Sequence, residues 1–285
     1  MLPKVNFKAY FGIFSMLLKG LILSIIIFLL GPGSIQAYEQ QKIKDFYLSN
    51  FNDDGSRDWE VEGKEAVIYD EHIDISEMEA NYYLKEDTIL ITSDQARLNK
   101  NNMDVYLQDN VHIENKEGTT LDTDSLNWQR TQNVVETDDR VKTIRDSMQI
   151  EGDGLFADTQ LKKANFKKNV EVVLPDKKSE EITTATCSGP LEIEYDAGKA
   201  IFNQDVVVTN PQGKLYSDKA TLFFNTESKE ITKIISEGNV KIIRGNNVTF
   251  SQKASYFSKE QKIVLEGRPR VIYYPDSGES MNLFK

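Results

Sequence analysis

The feature that most constrains this chain is a short unit that returns along its length. A turn-forming pair precedes Val-x-[Val/Ile] four times: Asp109-Asn110 before Val111-His112-Ile113, Lys168-Asn169 before Val170-Glu171-Val172, Gln204-Asp205 before Val206-Val207-Val208, and Gly238-Asn239 before Val240-Lys241-Ile242. Weaker copies begin at Val141 and Pro269. A second element, a polar pair and then an apolar-x-apolar step, precedes most copies. It is found as Ser93-Asp94 before Ala96 and Leu98, Thr123-Asp124 before Leu126 and Trp128, Ser188-Gly189 before Leu191 and Ile193, Ser217-Asp218 before Ala220 and Leu222, and Ser251-Gln252 before Ala254 and Tyr256. From Ala96 to Val111, Leu126 to Val141, Leu191 to Val206 and Ala254 to Pro269 the offset is 15 residues, and from Ala220 to Val240 it is 20, which fits a five-residue insertion in a turn.

Two period-2 runs at a constant offset describe stacked hairpins, because every layer must put its apolar positions on the same inner face. Past Tyr38 no stretch shows a 3.6-residue apolar period, so the expectation is an all-β fold. The repeat predicts an elongated β-jelly roll of stacked short antiparallel strands. Its interior should be lined by Leu98, Val111, Ile113, Leu126, Trp128, Val170, Val172, Ile193, Val206, Val208, Leu222, Val240, Ile242 and Tyr256. His112, Glu171 and Lys241 should face water. A closed core and an open groove satisfy this alternation equally.

Residues 11–30 read FGIFSMLLKGLILSIIIFLL, long enough to span a bilayer as a helix. The lysine within it costs about 2.5–3.5 kcal/mol on an insertion scale, and the many Leu, Ile and Phe residues return about 0.3–0.6 kcal/mol each, so insertion wins. Gly31-Pro32-Gly33 ends the segment and Ile35-Gln36-Ala37 offers a small-residue cleavage site, so residues 1–37 are either a membrane anchor or a signal segment. Lys4 and Lys8 hold the N-terminus in the cytoplasm and deliver the rest across the membrane.

The formal charge is −11, and the three lysines of residues 1–37 leave −14 for the remainder, which repels nucleic acid. Cys187 stands alone, which excludes an internal disulfide and a multi-cysteine metal site. With only His72 and His112, histidine-based catalysis has little to draw on. The acids of Asp53-Asp54, Asp122-x-Asp124 and Asp138-Asp139 read as turn chemistry. Lys162-Lys163, Lys167-Lys168 and Lys177-Lys178 fit solvated strand edges or contacts to phosphates. No phosphate-binding loop of the GxxxxGK[ST] form occurs.

Asp45-Phe46-Tyr47-Leu48, Asp54-Gly55, Trp59-Glu60-Val61, Ala66-Val67-Ile68-Tyr69, Ala96-Arg97-Leu98, Asn110-Val111-His112-Ile113 and Leu126-Asn127-Trp128, in that order, resemble an LptC domain of lipopolysaccharide transport. Tyr216-Ser217-Asp218-Lys219-Ala220, Glu237-Gly238-Asn239-Val240 and Glu266-Gly267-Arg268-Pro269 are more similar to the LptA/OstA-like repeat. The resemblance implies an LptC-like block over 38–150 and an LptA-like continuation over 151–285. It also implies an apolar groove that receives lipopolysaccharide from an inner-membrane ABC transporter of LptB/LptF/LptG type and passes it outward, with no cofactor and no catalytic residues. The open edges of such a stack should dock partner strands. Ile43, Phe46, Tyr47 and Leu48 would meet the transporter, and Val271 and Tyr273 an LptA-like bridge protein. A soluble LptA-like bridge released by signal cleavage, a β-solenoid polysaccharide-active enzyme and a passive filament protein share the repeat.

Overall fold

The computed structural model describes residues 41–274, apart from 84–86, 130, 146, 159–162, 176–180 and 229. The export segment lies outside the described residues. Alternation of apolar and polar residues gives a chain of strands: β1 (Gln41–Phe51), β2 (Arg57–Ile68), β3 (His72–Tyr83), β4 (Thr88–Asn99), β5 (Val105–Asn115), β6 (Thr120–Gln129), β7 (Val134–Arg145), β8 (Met148–Asp158) and β9 (Lys163–Pro175). There follow β10 (Ile182–Cys187), β11 (Leu191–Glu194), β12 (Lys199–Asn210), β13 (Gly213–Phe224), β14 (Ile231–Arg244), β15 (Asn247–Phe257), β16 (Lys262–Glu266) and β17 (Arg270–Ile272).

Apart from β10 with β11 and β16 with β17, each strand pairs antiparallel with the next, in one sheet of 17 strands. β10 and β11 both lie between β9 and β12 and so share one layer. β16 and β17 share another, both against β15. The 17 strands therefore occupy fifteen layers.

Most strands are longer than the short ones the repeat suggested, because the turn-forming pairs are not turns between strands. Asp109-Asn110 lies inside β5, Lys168-Asn169 inside β9, Gln204-Asp205 inside β12 and Gly238-Asn239 inside β14. At these points the backbone enters the left-handed region, with φ of 61° and 53° at Asp109 and Asn110, 51° at Asn169, 65° and 50° at Gln204 and Asp205, and 76° and 46° at Gly238 and Asn239. The pairing register shifts there too, as between Gln108 and Val111 and between Glu237 and Val240. Such bulges bend a strand sharply. Because neighbouring strands bulge at the same level, the whole sheet folds along one line into two facing leaves.

The first leaf holds the stretches around Leu98, Leu126, Ile193 and Leu222, and the second those around Ile113, Val172, Val208 and Ile242. Asp, Asn and Gly gather on the fold line because they tolerate positive φ at least cost. They also bond along it. Asn110 Nδ2 donates to Asp94 at 2.7 Å, Asn169 Nδ2 to Asp153 at 2.7 Å, Ser188 Oγ to Asp205 at 2.7 Å and Asn239 Nδ2 to Asp218 at 2.9 Å.

Gly152-Asp153-Gly154 forms this same corner within β8. Gly154 has a φ of 74°, and β8 pairs on both flanks with β7 and β9, so the sheet is continuous there.

Asn110→Val should cost about 1–3 kcal/mol, since a β-branched residue at φ near 53° is strained. Asp94→Ala, which removes only an exposed side-chain bond, should cost under about 1 kcal/mol. Urea unfolding of the two variants checks the order.

Candidate functional site

The site is the space between the leaves, built outward from the fold line. Just inside it, large and small residues alternate from strand to strand. Val111 pairs with Thr123, Thr123 with Val141, and Val141 with Gly152. Val170 pairs with Cys187, Val206 with Ser217 and Val240 with Ser251. All are buried, the valines at 0–2% exposure, so the corner is closed to water. The hydroxyls of Ser93, Ser217 and Ser251 have no hydrogen-bond partner, so the corner uses these residues for their size. Burial raises the Cys187 thiol above its ordinary range, partly offset by a backbone hydrogen bond with Asn203, and its Sγ–H donates to the Gly189 carbonyl at 3.4 Å.

Away from the corner the leaves separate at both ends of the stack. Leu98, Ile113 and Trp128 toward the N-terminal end are half-buried, as are Val208, Leu222, Ile242 and Tyr256 toward the C-terminal end. Val111, Leu126, Val170, Val172, Ile193, Val206 and Val240 are buried. The structure brings all fourteen of these sequence-identified residues onto the inner face.

Val172 and Ile193 stand as far from the corner as Ile113 and Leu98, yet at 4% and 7% exposure they are closed off. They belong to an apolar cluster running from Val141 to Ala220 that also holds Ile150, Leu155, Phe166, Leu191 and Phe202. A smaller cluster of Met78, Ala96, Leu107, Val111 and Leu126 serves the N-terminal strands. The interior is thus open at the mouth near each end and shut in the middle. Periodicity does not reveal this, since Phe166, Leu191 and Phe202 alternate like their neighbours and differ only in how close the facing leaf comes.

At the N-terminal edge Ile43, Tyr47 and Leu48 are exposed at 45%, 53% and 40%, while Phe46 is half-buried against Gly63, where any added Cβ would sit 2.9 Å from the ring. Tyr47 is also tied to its own sheet. Its hydroxyl donates to Glu60 at 2.6 Å, Tyr83 donates to the same carboxylate, and Arg57 lies 3.0 Å from it. At the opposite edge Val271 and Tyr273 are exposed.

The remaining polar residues lie outside the groove. His112 Nδ1 and Asp122 Oδ1 are 2.6 Å apart on the outer face, Glu171 is exposed there, and Lys241 lies over Tyr216 at 5.6 Å. Lys167 is paired with Asp138 across the fold line. Lys162, Lys177 and Lys178 lie outside the described residues. Asp54 sits in the β1–β2 turn, where bonds from Ser56 hold its carboxyl below the usual carboxylate range. Among the described residues no cluster of His, Cys, Asp or Glu is arranged to hold a metal ion.

Ser217→Ala should leave stability unchanged or raise it, whereas Ser217→Val should lower it by about 1–3 kcal/mol through overpacking. Thermal unfolding distinguishes the two. A pH effect follows at the first strand pair. The hydroxyls of Tyr47 and then Tyr83 depress the Glu60 carboxyl, so its contribution is present above the ordinary Glu pKa and lost as pH falls through the depressed value. Protection of the β1 amides, taken as their exchange relative to an unfolded chain at the same pH, should therefore fall in acid, and Glu60→Gln should remove that dependence.

Residues 35–174 match the family described as lipopolysaccharide-assembly, LptC-related. Residues 187–282 match the family described as LptA/(LptD N-terminal domain) LPS transport protein. No curated protein matches the chain. An LptC-related segment and an LptA-like segment thus stand in series within one sheet.

Proposed function

We propose that this chain, an LptC-related segment continued by an LptA-like one, carries lipopolysaccharide between its two leaves from the inner membrane toward the outer membrane. What supports the reading is the inner face itself: apolar in every layer, unbroken from one segment into the other, and half-exposed at the mouth toward both ends. Burying an acyl chain is worth about 0.8 kcal/mol per methylene, so several chains cannot cross water unaided but can move along a surface that offers the same burial at each layer.

On this reading the lipid enters at the β1–β2 end from an ABC transporter of LptB/LptF/LptG type and leaves at the β16–β17 end to an LptA-like protein. Residues 1–37 hold the chain at the inner membrane or export it to the periplasm. The functional division is the one drawn at residue 150 from sequence, while the two family matches leave the change between 174 and 187. The cluster around Phe166, Leu191 and Phe202 parts as cargo passes. The exchange is inexpensive, because each leaf trades contact with the other leaf for contact with an acyl chain.

Photo-crosslinkers placed at inward Val172 or Val240 should label lipopolysaccharide in energised membranes, and one at outward Lys241 should not. Labelling from Lys241 alone would overturn the conduit. Crosslinkers at Tyr47 and Tyr273 should capture two different proteins, and capture of neither would remove the docking of the two ends.

A further inference from the structure

The outer face of the last six strands carries a pattern that the conduit does not use. On the first leaf, one row across β12–β16 reads Lys199, Phe223, Lys233, Phe257, Lys262. The row beside it reads Ile201, Thr221, Ile235, Ser255, Val264, and the next Asn203, Lys219, Glu237, Lys253, Glu266. On the second leaf a row reads Tyr216, Lys241, Phe250, Arg270. Cation alternates with ring, large with small, and base with acid.

Five of these neighbouring pairs are in direct contact. Lys233 Nζ lies 5.1 Å from the Phe257 ring and 6.0 Å from that of Phe223, Lys241 lies 5.6 Å from Tyr216, and Arg270 lies 5.7 Å from Phe250. Lys253 pairs with Glu237 at 3.1 Å. Thr221 and Ser255, although on the outer face, are buried at 8% and 4% because the larger residues of adjoining strands close over them. Among the described residues, the alternation of ring with cation belongs to this segment. In the corresponding first-leaf rows of β3–β7 the outward residues are Asp74, Arg97, Tyr106, Asn127 and Glu136.

Among the described residues, every row stops unfinished at the β16–β17 edge. Lys262 and Arg270 have a ring on one side only, Glu266 a lysine on one side only, and Val264 a small residue on one side only. The strands that satisfy these positions within the sheet are β13 and β15, and they share one outward sequence: Tyr216-x-x-Lys219-x-Thr221-x-Phe223 and Phe250-x-x-Lys253-x-Ser255-x-Phe257.

We propose that the β16–β17 edge selects a partner strand bearing outward aromatic-x-x-Lys-x-(Ser/Thr)-x-Phe, running antiparallel to it. The proposal rests on the reading that this edge docks a partner, and it specifies what that partner carries. A second copy stacked head to tail does not supply the strand. With fifteen antiparallel layers the first and last run the same way, so β1 of another copy would arrive parallel, and its sequence Gln41–Phe51 lacks the pattern. The occupant is a different chain, recognised by two rings for two cations and a lysine for Glu266.

The test uses the full chain with a photo-crosslinker at Val271 and three fluorescent peptides. One has the sequence of β15, Asn247–Phe257; the second is the same with Phe250→Lys, Lys253→Glu and Phe257→Lys; the third is β1, Gln41–Phe51. The β15 peptide should bind and crosslink at Val271, and the altered peptide should bind at least about tenfold more weakly, the combined effect of two ring–cation pairs and one ion pair. Glu266→Lys in the chain should weaken the β15 peptide and strengthen one carrying Lys253→Glu alone. Equal crosslinking by the β15 and altered peptides would overturn the selectivity while leaving edge docking in place. Binding of the β1 peptide as tight as that of β15 would overturn the choice of occupant. If no peptide reaches Val271, the docking reading fails and the proposal with it.

Discussion

Everything in this structure depends on the strands bending at one level. An antiparallel sheet of fifteen layers has two faces and, left flat, would expose one apolar surface to water. Bulges in strand after strand, with positive φ on β5, β8, β9, β12 and β14 among them, fold the sheet onto that surface, so one strand contributes to both walls of the interior. Beside the corner the leaves are too close for two large side chains in adjacent strands, hence valine opposite Ser, Thr, Gly or Cys. The side-chain bonds from Asn110, Asn169, Ser188 and Asn239 then hold neighbouring corners in step.

The distance between the leaves, set by side-chain bulk, decides what the interior can do. Near the ends, residues such as Ile113 and Ile242 line a mouth that water reaches; in the middle, Leu191, Phe166 and Phe202 fill it. The closure lies where the LptC-related match gives way to the LptA-like one, so the two segments are joined by a shared core as well as a shared sheet. For the conduit proposed above this is a workable compromise. Closed leaves keep apolar surface from water when no cargo is present, and an acyl chain between parted leaves restores nearly the burial it displaces.

The period-2 alternation of Val111-His112-Ile113 and its copies points eight residues to one face, and the apolar-x-apolar steps point the other six there, because burial on one side of a sheet leaves no other pattern open to them. The corners were visible as Asp-Asn and Gly-Asn pairs but read as turns, since the same residues serve both wherever φ is positive. Closure of the middle was not legible, because alternation carries no information on how near the opposite leaf lies. The aromatic–cation rows were also missed. They run across strands, and only the pairing register brings Phe223, Lys233 and Phe257 together. The repeated Lys-Ala-(Thr/Ser)-x-Phe of β13 and β15 was the signal that could have revealed them.

The central claim is that cargo passes between leaves that are closed at rest. Leu174 and Tyr195 stand at the two lips of the closed middle, one at the end of β9 on the second leaf and the other just past β11 on the first, both packed against the central cluster. Spin labels at these two positions, followed by pulsed electron resonance in membranes with the transporter idle and then supplied with ATP and lipopolysaccharide, measure the gap directly. The account predicts a longer, broader distance distribution that appears only when lipid is loaded. An unchanged distance while lipopolysaccharide is carried past this level would contradict it.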